Sequence, residues 1–167
     1  MDHAIRLRPE EPGDAAFLFR LYASTRADEM KLVPWNDAQK EAFLRMQLHA
    51  QTTHYRQQYP NASYDIILSG DVPAGRLYID RTDEAIAIID ISLLPEHRGA
   101  GIGGSLLRRV LAEAAERRKA VHIYVEQHNP AMHLYHRLGF RKISDYGVYN
   151  FMEWKPETDA GATPPSP

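Results

Sequence analysis

Residues 95–111, PEHRGAGIGGSLLRRVL, constrain the fold of this chain more than any other stretch. Four glycines stand within the six residues from Gly99 to Gly104. The segment follows the apolar run Ala85–Leu94 and leads into apolar residues at helical spacing. Glycine is unfavourable in regular structure, so this density indicates that something approaches the backbone closely. The order predicts a strand, a glycine loop and a helix, a unit typical of α/β proteins.

The N-terminal part predicts helices and a hairpin around this unit. In chain order we expect a strand over residues 4–8, a helix from Pro12, a loop over residues 27–37, a helix capped by Asn36 or Asp37 that ends near Tyr59-Pro60, and two strands joined at Gly70-Asp71. The alternation of apolar residues in the strands and their helical spacing elsewhere support these predictions.

The C-terminal part predicts two buried strands with a helix between them. Ala85–Leu94 is apolar enough for a central strand buried on both faces, and Val121–Glu126 is predicted to be a second buried strand. Asn129 as a cap and Pro130 at the first helical position predict a helix that ends before Gly139. Two strands then close the chain. The order βααβββαβαββ predicts a mixed α/β (α+β) fold with helices around a central sheet, in one domain over residues 1–155.

Composition excludes several classes of protein. The chain has 167 residues and a formal net charge of -2, which favours neither nucleic acid nor an anionic membrane as a partner. No apolar run approaches the ~20 residues that span a bilayer. The N-terminus lacks a secretory pattern and there is no cysteine, so we expect a cytoplasmic protein. The sequence is compatible with a homodimer. Residues 156–167 contain no aliphatic residue larger than Ala and predict a disordered tail.

The glycine loop is open to two interpretations. Free N–H groups and the positive end of the following helix make an anion site, with Arg98 and His97 beside it. Alternatively, the glycines form a tight turn that lets helix and strand pack closely. No Lys-Ser or Lys-Thr follows the last glycine, so the Walker pattern fails. Gly99, Gly101 and Gly104 match G-x-G-x-x-G, which would indicate a dinucleotide-dependent oxidoreductase. The residues PEHR before the first glycine, and the short chain, disagree with that fold.

Two motifs resemble one family. ISLLPEHRGAGIGGSLL resembles the acetyl-CoA signature R/Q-x-x-G-x-G/A of the GNAT N-acetyltransferase superfamily, and NPAMHLYHRLGF resembles its later motif N-x-x-A-x-x-L-Y-x-x-x-G-F. The strand order is similar to that fold from Ala4 to Trp154. In one departure, Asn129 lies six residues before Tyr135, where many members place it seven before. Asn129 therefore either contacts ligand or only caps its helix.

The resemblance implies acetyl-CoA as cosubstrate and assigns its binding residues. The edge of the strand at Leu93 and Leu94 would pair with pantetheine, with a backbone N–H near Leu93 facing the thioester carbonyl. Helix 130–138 would line the other side of the cosubstrate, beginning at Asn129. The residues implied to wrap the pyrophosphate are Arg98, Gly99, Ala100, Gly101, Ile102, Gly103 and Gly104.

The resemblance also implies catalytic roles. Tyr135 matches the family's proton donor to the leaving sulfur, and the alternative is a core tyrosine. Many members carry a basic glutamate on the central strand, where Ala87 stands here. Glu126 and Asp90 are the nearest substitutes, and each could instead pair with an arginine; water could also carry the proton. Without cysteine no thioester acyl-enzyme forms, so direct attack in a ternary complex is favoured.

The resulting hypothesis is an acetyl-CoA-dependent N-acetyltransferase that acts on a primary amine of a small molecule or peptide. The runner-up is a catalytically silent acyl-CoA-binding sensor. His133 and His136 share an i, i+3 spacing without a nearby carboxylate, so no metal site is expected. Trp35, Tyr55 and Tyr59 lie where this family builds acceptor specificity, and packing is an equal interpretation of them.

Overall fold

The computed structural model describes residues 4–157. They group into two compact units. The first comprises the chain up to Asp80 together with Asp90–Ile102, and the second comprises Arg81–Ile89 and the chain from Gly103. Of the predicted tail, residues 158–167 lie outside the described part, and Pro156 and Glu157 have no regular structure. Within residues 4–157, no helix has the length and apolar character that crossing a membrane requires.

The predicted mixed α/β architecture is confirmed. Seven strands form one sheet in the order β1-β2-β3-β4-β5-β7-β6. β4 and β5 pair in parallel, whereas the pairs β1–β2, β2–β3, β5–β7 and β6–β7 are antiparallel. The strands are β1 Ile5–Pro9, β2 Ser63–Ser69, β3 Val72–Arg81, β4 Ala85–Leu93, β5 Ala120–Glu126, β6 Arg141–Tyr146 and β7 Tyr149–Trp154. The helices are α1 Ala15–Thr25, α2 Ala27–Met30, α3 Asp37–Gln58, α4 Ile102–Arg117 and α5 Met132–Arg137.

In the first unit, local signals place the helices and the hairpin. The Asn36 side chain accepts a hydrogen bond from the Gln39 N–H (2.8 Å), and the Gln39 side chain accepts one from the Asn36 N–H (3.0 Å), which fixes the start of α3. β2 and β3 form the predicted hairpin, with Gly70 at φ +63° in its turn. The predicted loop over residues 27–37 is wrong in part, because it contains the four-residue helix α2.

In the second unit, the apolar residues predicted to line one side of α4 are all buried: Leu106, Leu107, Val110, Leu111 and Ala114. The prediction that β4 is buried on both faces is wrong, because most of its residues are only half-buried. The predicted burial of β5 holds for one face of the strand. Along β5, the buried residues alternate with half-buried or exposed ones. The alternation was present in the sequence, since His122, Tyr124 and Glu126 carry the polar groups of the strand.

The start of α5 is two residues later than predicted. Asn129 Oδ1 accepts a hydrogen bond from the Ala131 N–H (2.8 Å), and the Asn129 carbonyl accepts one from the Met132 N–H (3.0 Å). This turn precedes the helix, which begins at Met132. The predicted stop is confirmed, because Gly139 adopts φ +100° directly after the helix end.

Candidate functional site

Two glycines in the loop between β4 and α4 have a left-handed backbone conformation. Gly99 and Gly101 adopt φ +77° and +81°, a region that side chains with a Cβ rarely enter. For these two residues the conformation of the loop itself requires glycine. Among the described residues, no heavy atom lies within 4 Å of an ideal Cβ at either position, so their packing adds no further constraint.

The other two glycines have no such requirement. Gly103 lies in the first turn of α4, and a Cβ there would meet nothing within 4 Å. A Cβ on Gly104 would make only ordinary contacts, at 3.4 Å to Arg108 Nη1 and 3.7 Å to Leu134 Cδ1. Each glycine costs a helix about 1 kcal/mol relative to alanine. Neither backbone conformation nor close packing against residues 4–157 therefore explains this pair, which disfavours the tight-turn interpretation.

Donors and positive charge meet at the start of α4. The first four N–H groups of a helix have no partner within it, and the helix dipole is positive there. The Arg108 side chain runs back along α4, so that its guanidinium group lies next to Gly104. Sequence reasoning missed Arg108, although its i+4 spacing from Gly104 was a usable signal. This arrangement suits a phosphate or pyrophosphate group.

The end of β4 presents backbone groups along one edge. The Leu94 N–H donates to the Ala74 carbonyl of β3 (2.8 Å). Because neighbouring residues of a strand direct their backbone groups to opposite edges, the Leu93 N–H and carbonyl point away from β3. Arg98 Nε donates to that Leu93 carbonyl (2.9 Å). The structure thus brings two predicted binding residues together, with Arg98 holding the strand end as well as flanking the loop.

Tyr135 lies in α5 and is 4% exposed. Its ring packs edge-on against Phe140, with 5.7 Å between the ring centroids. Its neighbour Leu134 lies beside Gly104, so α5 and the first turn of α4 are adjacent within the second unit. The ring is therefore part of the core, and the predicted chemical role of the hydroxyl stays a prediction.

The two carboxylates predicted as alternative bases differ in their surroundings. Asp90 Oδ2 accepts hydrogen bonds from Nε (2.9 Å) and Nη2 of Arg76, and Asp90 Oδ1 accepts one from Ser92 Oγ (2.6 Å). Arg76 is buried, and burial is the largest single influence and lowers its pKa; the charge and hydrogen bonds of Asp90, together with Tyr78 and Tyr55, raise the pKa by more, so that it lies above its usual value. Asp90 is therefore committed to an ion pair. Glu126 is exposed at the end of β5, where its carbonyl accepts from the Asn129 N–H (3.0 Å).

The aromatic residues of the predicted acceptor region mostly take part in packing, and Trp35 is also partly exposed. Among residues 4–157, no cluster of three or more His, Cys, Asp or Glu side chains could hold a metal ion. Tyr55 packs edge-on against Tyr78 (6.2 Å between centroids), and the carbonyls of Tyr55 and Tyr59 accept hydrogen bonds from the Tyr64 hydroxyl. Trp35 packs edge-on against Phe43 and remains 40% exposed.

Solved structures of similar fold include several acetyltransferases. The PaiA N-acetyltransferase of Thermoplasma acidophilum, solved in complex with coenzyme A, has a TM-score of 0.66 and 17% identity, over 91% of this chain and 99% of that one. An acetyltransferase of Thermus thermophilus has a TM-score of 0.65 and 22% identity, over 93% and 99%. Arabidopsis thaliana Naa50, solved with a bisubstrate analogue, has a TM-score of 0.57 and 16% identity, over 90% and 98%. At these identities the likeness shows the fold.

Two sequence matches show more than the fold. The streptothricin acetyltransferase of Streptomyces lavendulae is 43% identical over 61 residues, which are 35% of this chain. The match spans about a third of that relative's length, 32%. The sequence profile of the Acetyltransferase (GNAT) family matches residues 18–140, well over half of the chain. The G-x-G-x-x-G match was therefore misleading as a dinucleotide signature, and the chain belongs to the GNAT acetyltransferase family, whose cosubstrate is acetyl-CoA.

Proposed function

We propose that this protein is an N-acetyltransferase that moves the acetyl group of acetyl-CoA to a primary amine by direct attack in a ternary complex. The observation that carries the proposal is Gly103. It occupies a helical position where glycine is unfavourable, and neither its backbone conformation nor a neighbouring atom requires it. A phosphate that approaches the start of α4 supplies the missing reason, because a Cβ there would occupy its space.

The residues of the loop have separate tasks in this proposal. Gly99 and Gly101 set the path of the loop from Arg98 through Ala100 to Ile102, and Gly103 and Gly104 admit the pyrophosphate. Arg108 adds positive charge beside Gly104. The outward N–H of Leu93 is a donor for the thioester carbonyl, where a fixed donor stabilises developing negative charge. Leu94 cannot donate to pantetheine with its own N–H, since Ala74 accepts it.

The proposed chemistry requires a proton acceptor and a proton donor. An alkylamine has a pKa near ~10.4 and must lose a proton before it attacks. The leaving thiolate requires a proton, and Tyr135 is the proposed donor. The sequence offers Glu126 as the acceptor for the amine proton. Asn129 is proposed to hold the turn before α5 rather than to contact the ligand, because its Oδ1 is already bonded to the Ala131 N–H.

The acceptor is proposed to be a primary amine of a small molecule or a peptide. Streptothricin is the first compound to test, because the matched relative acetylates it by name. A thiol-release assay with acetyl-CoA, streptothricin and a panel of polyamines, amino acids and peptides tests the function. We expect free coenzyme A in equal amount to acetylated amine with at least one acceptor. Tight binding of coenzyme A without transfer to any amine would favour the sensor instead. Stabilisation by NAD and not by acetyl-CoA would overturn both.

A further inference from the structure

A chain of polar contacts runs from α3 through β3 to the end of β4, within the first unit. The Gln51 side chain accepts a hydrogen bond from Arg76 Nη2 (2.8 Å), and Arg76 also donates to Asp90 Oδ2. Ser92 Oγ donates to the other oxygen, Asp90 Oδ1 (2.6 Å). The Arg76 guanidinium group lies over the ring of Tyr78, 4.8 Å from its centroid. Contacts from α3, β3 and β4 therefore fix the Asp90 carboxylate in place.

These contacts make the Ser92 hydroxyl group a hydrogen-bond acceptor. A serine hydroxyl has one proton and two lone pairs. Its proton is directed to Asp90, which is an anion because the buried Arg76 is paired with it. Within residues 4–157, no group donates to Ser92 Oγ. The lone pairs are therefore available to a ligand, whereas the proton is not.

Ser92 directly precedes Leu93, whose N–H is the proposed donor to the thioester carbonyl. Ordinary bond lengths of about 1.3–1.5 Å place Ser92 Oγ within about 5 Å of the Leu93 nitrogen. Solvent reaches this place, since Ser92 is half-buried and the Asp90 side chain is 15% exposed. An attacking nitrogen must approach the thioester carbon to about 3–3.5 Å. A nitrogen bound to Ser92 Oγ is therefore within reach of that carbon. This step rests on the proposed function, which assigns the thioester carbonyl to the Leu93 N–H.

We propose that Ser92 Oγ accepts an N–H of the acceptor amine and directs the nitrogen lone pair to the thioester carbon, and that Asp90 is the positioning residue that holds the hydroxyl proton away. A neutral primary amine still has N–H groups, so one of them can stay on Ser92 while the lone pair attacks. The arrangement also defines the class of ligand. A hydroxyl that only accepts binds ammonium and amine groups, and it offers no hydrogen bond to a carboxylate or a phosphate.

A complex that cannot react measures this contact without acetyl transfer. The protein is saturated with coenzyme A, which carries no acetyl group, and is titrated in a calorimeter with the acceptor that the thiol-release assay identifies, beginning with streptothricin. Ser92→Ala should weaken acceptor binding by about tenfold or more, because a hydrogen bond from a charged group is lost. The Kd for coenzyme A should stay within about twofold, since this contact is made to the acceptor.

Two variants and one ligand serve as controls. Ser92→Thr keeps the hydroxyl group and should retain acceptor binding. Ser24→Ala removes another hydroxyl of the first unit, which donates to the Leu21 carbonyl (2.7 Å), and it should change neither affinity. A trimethylated form of the acceptor amine has no N–H, so the unmodified protein and Ser92→Ala should bind it equally. In turnover with the acceptor itself, kcat/KM of Ser92→Ala should fall by about 10- to 100-fold.

A double-mutant cycle tests the role of Asp90. An amide at this position can donate to Ser92 Oγ and occupy a lone pair, so Asp90→Asn should weaken acceptor binding by about tenfold. In the Ser92→Ala background the same change should have no further effect, because Asp90 acts through the hydroxyl group. Thermal unfolding accompanies each variant, since Asp90→Asn leaves Arg76 without its charged partner. If Asp90→Asn does not fold, Ser92→Ala and Ser92→Thr decide the proposal.

Unchanged acceptor binding and kcat/KM in Ser92→Ala would overturn the proposal and leave the proposed function intact. Equal weakening of the trimethylated ligand, or a similar loss of affinity for coenzyme A, would also overturn it, because Ser92 would then only hold the end of β4. A further loss from Asp90→Asn in the Ser92→Ala background would overturn the positioning role of Asp90. Absence of transfer by the unmodified protein to any amine would end both proposals together.

Discussion

A Cβ atom on Gly75 would lie 2.0 Å from the carbonyl oxygen of Ser92. β3 therefore approaches the end of β4 so closely that only glycine fits at this position. The Leu94 N–H bonds to the Ala74 carbonyl beside it, so the contact sets the path of β4 just where Leu93 turns its backbone groups outward. The donor proposed for the thioester carbonyl thus depends on a glycine of another strand.

Gly75→Ala should separate the two strands. Because the opposing atom is backbone, the clash cannot be relieved by a side-chain rotation, and we expect a loss of about 3 kcal/mol in the free energy of unfolding. Urea unfolding measures it, and calorimetry should show weaker binding of coenzyme A by the folded fraction. Gly13→Ala is the control, because its Cβ would meet no atom within 4 Å. Equal stability of the two variants would show that β3 and β4 tolerate separation.

Arg108→Ala should weaken the binding of coenzyme A by about tenfold, because it removes a charged donor beside Gly104. The exposed Arg117 in the last turn of the same helix serves as the control, and Arg117→Ala should leave the Kd unchanged. Titration calorimetry at low and high salt measures both variants. An unchanged Kd for Arg108→Ala would remove this residue from the phosphate site.

Asp14 should make stability depend on pH. Arg8 donates two hydrogen bonds of 2.8 Å to Asp14, and this contact, more than the N–H of Glu11, lowers the pKa of the buried carboxyl group. The stabilisation is then full above the unfolded pKa of about 3.9 and is lost as pH falls through the lower folded value.

Asp14→Asn should accordingly cost about 2 kcal/mol at pH 7, and the difference from the unmodified protein should shrink below pH ~4. Thermal unfolding across pH 2.5 to 7 checks the sign. Asp71→Asn removes an exposed partner of Arg6 and should not shift Tm at any pH. A gap between the Asp14→Asn and unmodified curves that widened towards acid would contradict the lowered pKa.

Tyr135→Phe removes one hydroxyl and keeps the ring packing against Phe140. If the hydroxyl protonates the departing sulfur, kcat should fall by roughly 10²- to 10⁴-fold while the Kd for coenzyme A is nearly unchanged. Steady-state kinetics with an identified acceptor, together with calorimetry, separates the two quantities. Unchanged turnover would mean that water or another group supplies the proton.

Much of the fold followed from local signals. The Asn36 cap, the Gly70 turn and the apolar spacing of α4 each act within a few residues, and each was predictable. The start of α5 was not, because the hydrogen bond from Ala131 to the Asn129 side chain selects a turn before the helix. The burial of β4 was overestimated, since an apolar run does not reveal how much of each face is covered.

The parts of the candidate site formed by consecutive residues could be predicted from the sequence. The parts that depend on residues far apart in the sequence could not. The loop from Arg98 to Gly104 is a continuous motif, so the sequence displayed it. The need for glycine at position 75 depends on the path of β4, which no local pattern contains. The hydrogen bond between His122 of β5 and Glu153 of β7 joins residues that are 31 positions apart in the sequence.

The affinity of Gly103→Asp for acetyl-CoA is the sharpest test of a phosphate site at the start of α4. Position 103 has open space around a Cβ, and an acidic residue in the first turn suits the helix dipole, so the variant should fold with an unchanged or higher Tm. Gly13→Asp, at another open position, is the control. By titration calorimetry, we predict that Gly103→Asp loses at least about 100-fold in affinity for acetyl-CoA, while Gly13→Asp binds as the unmodified protein does. Undiminished affinity in folded Gly103→Asp would show that no phosphate binds beside Gly103.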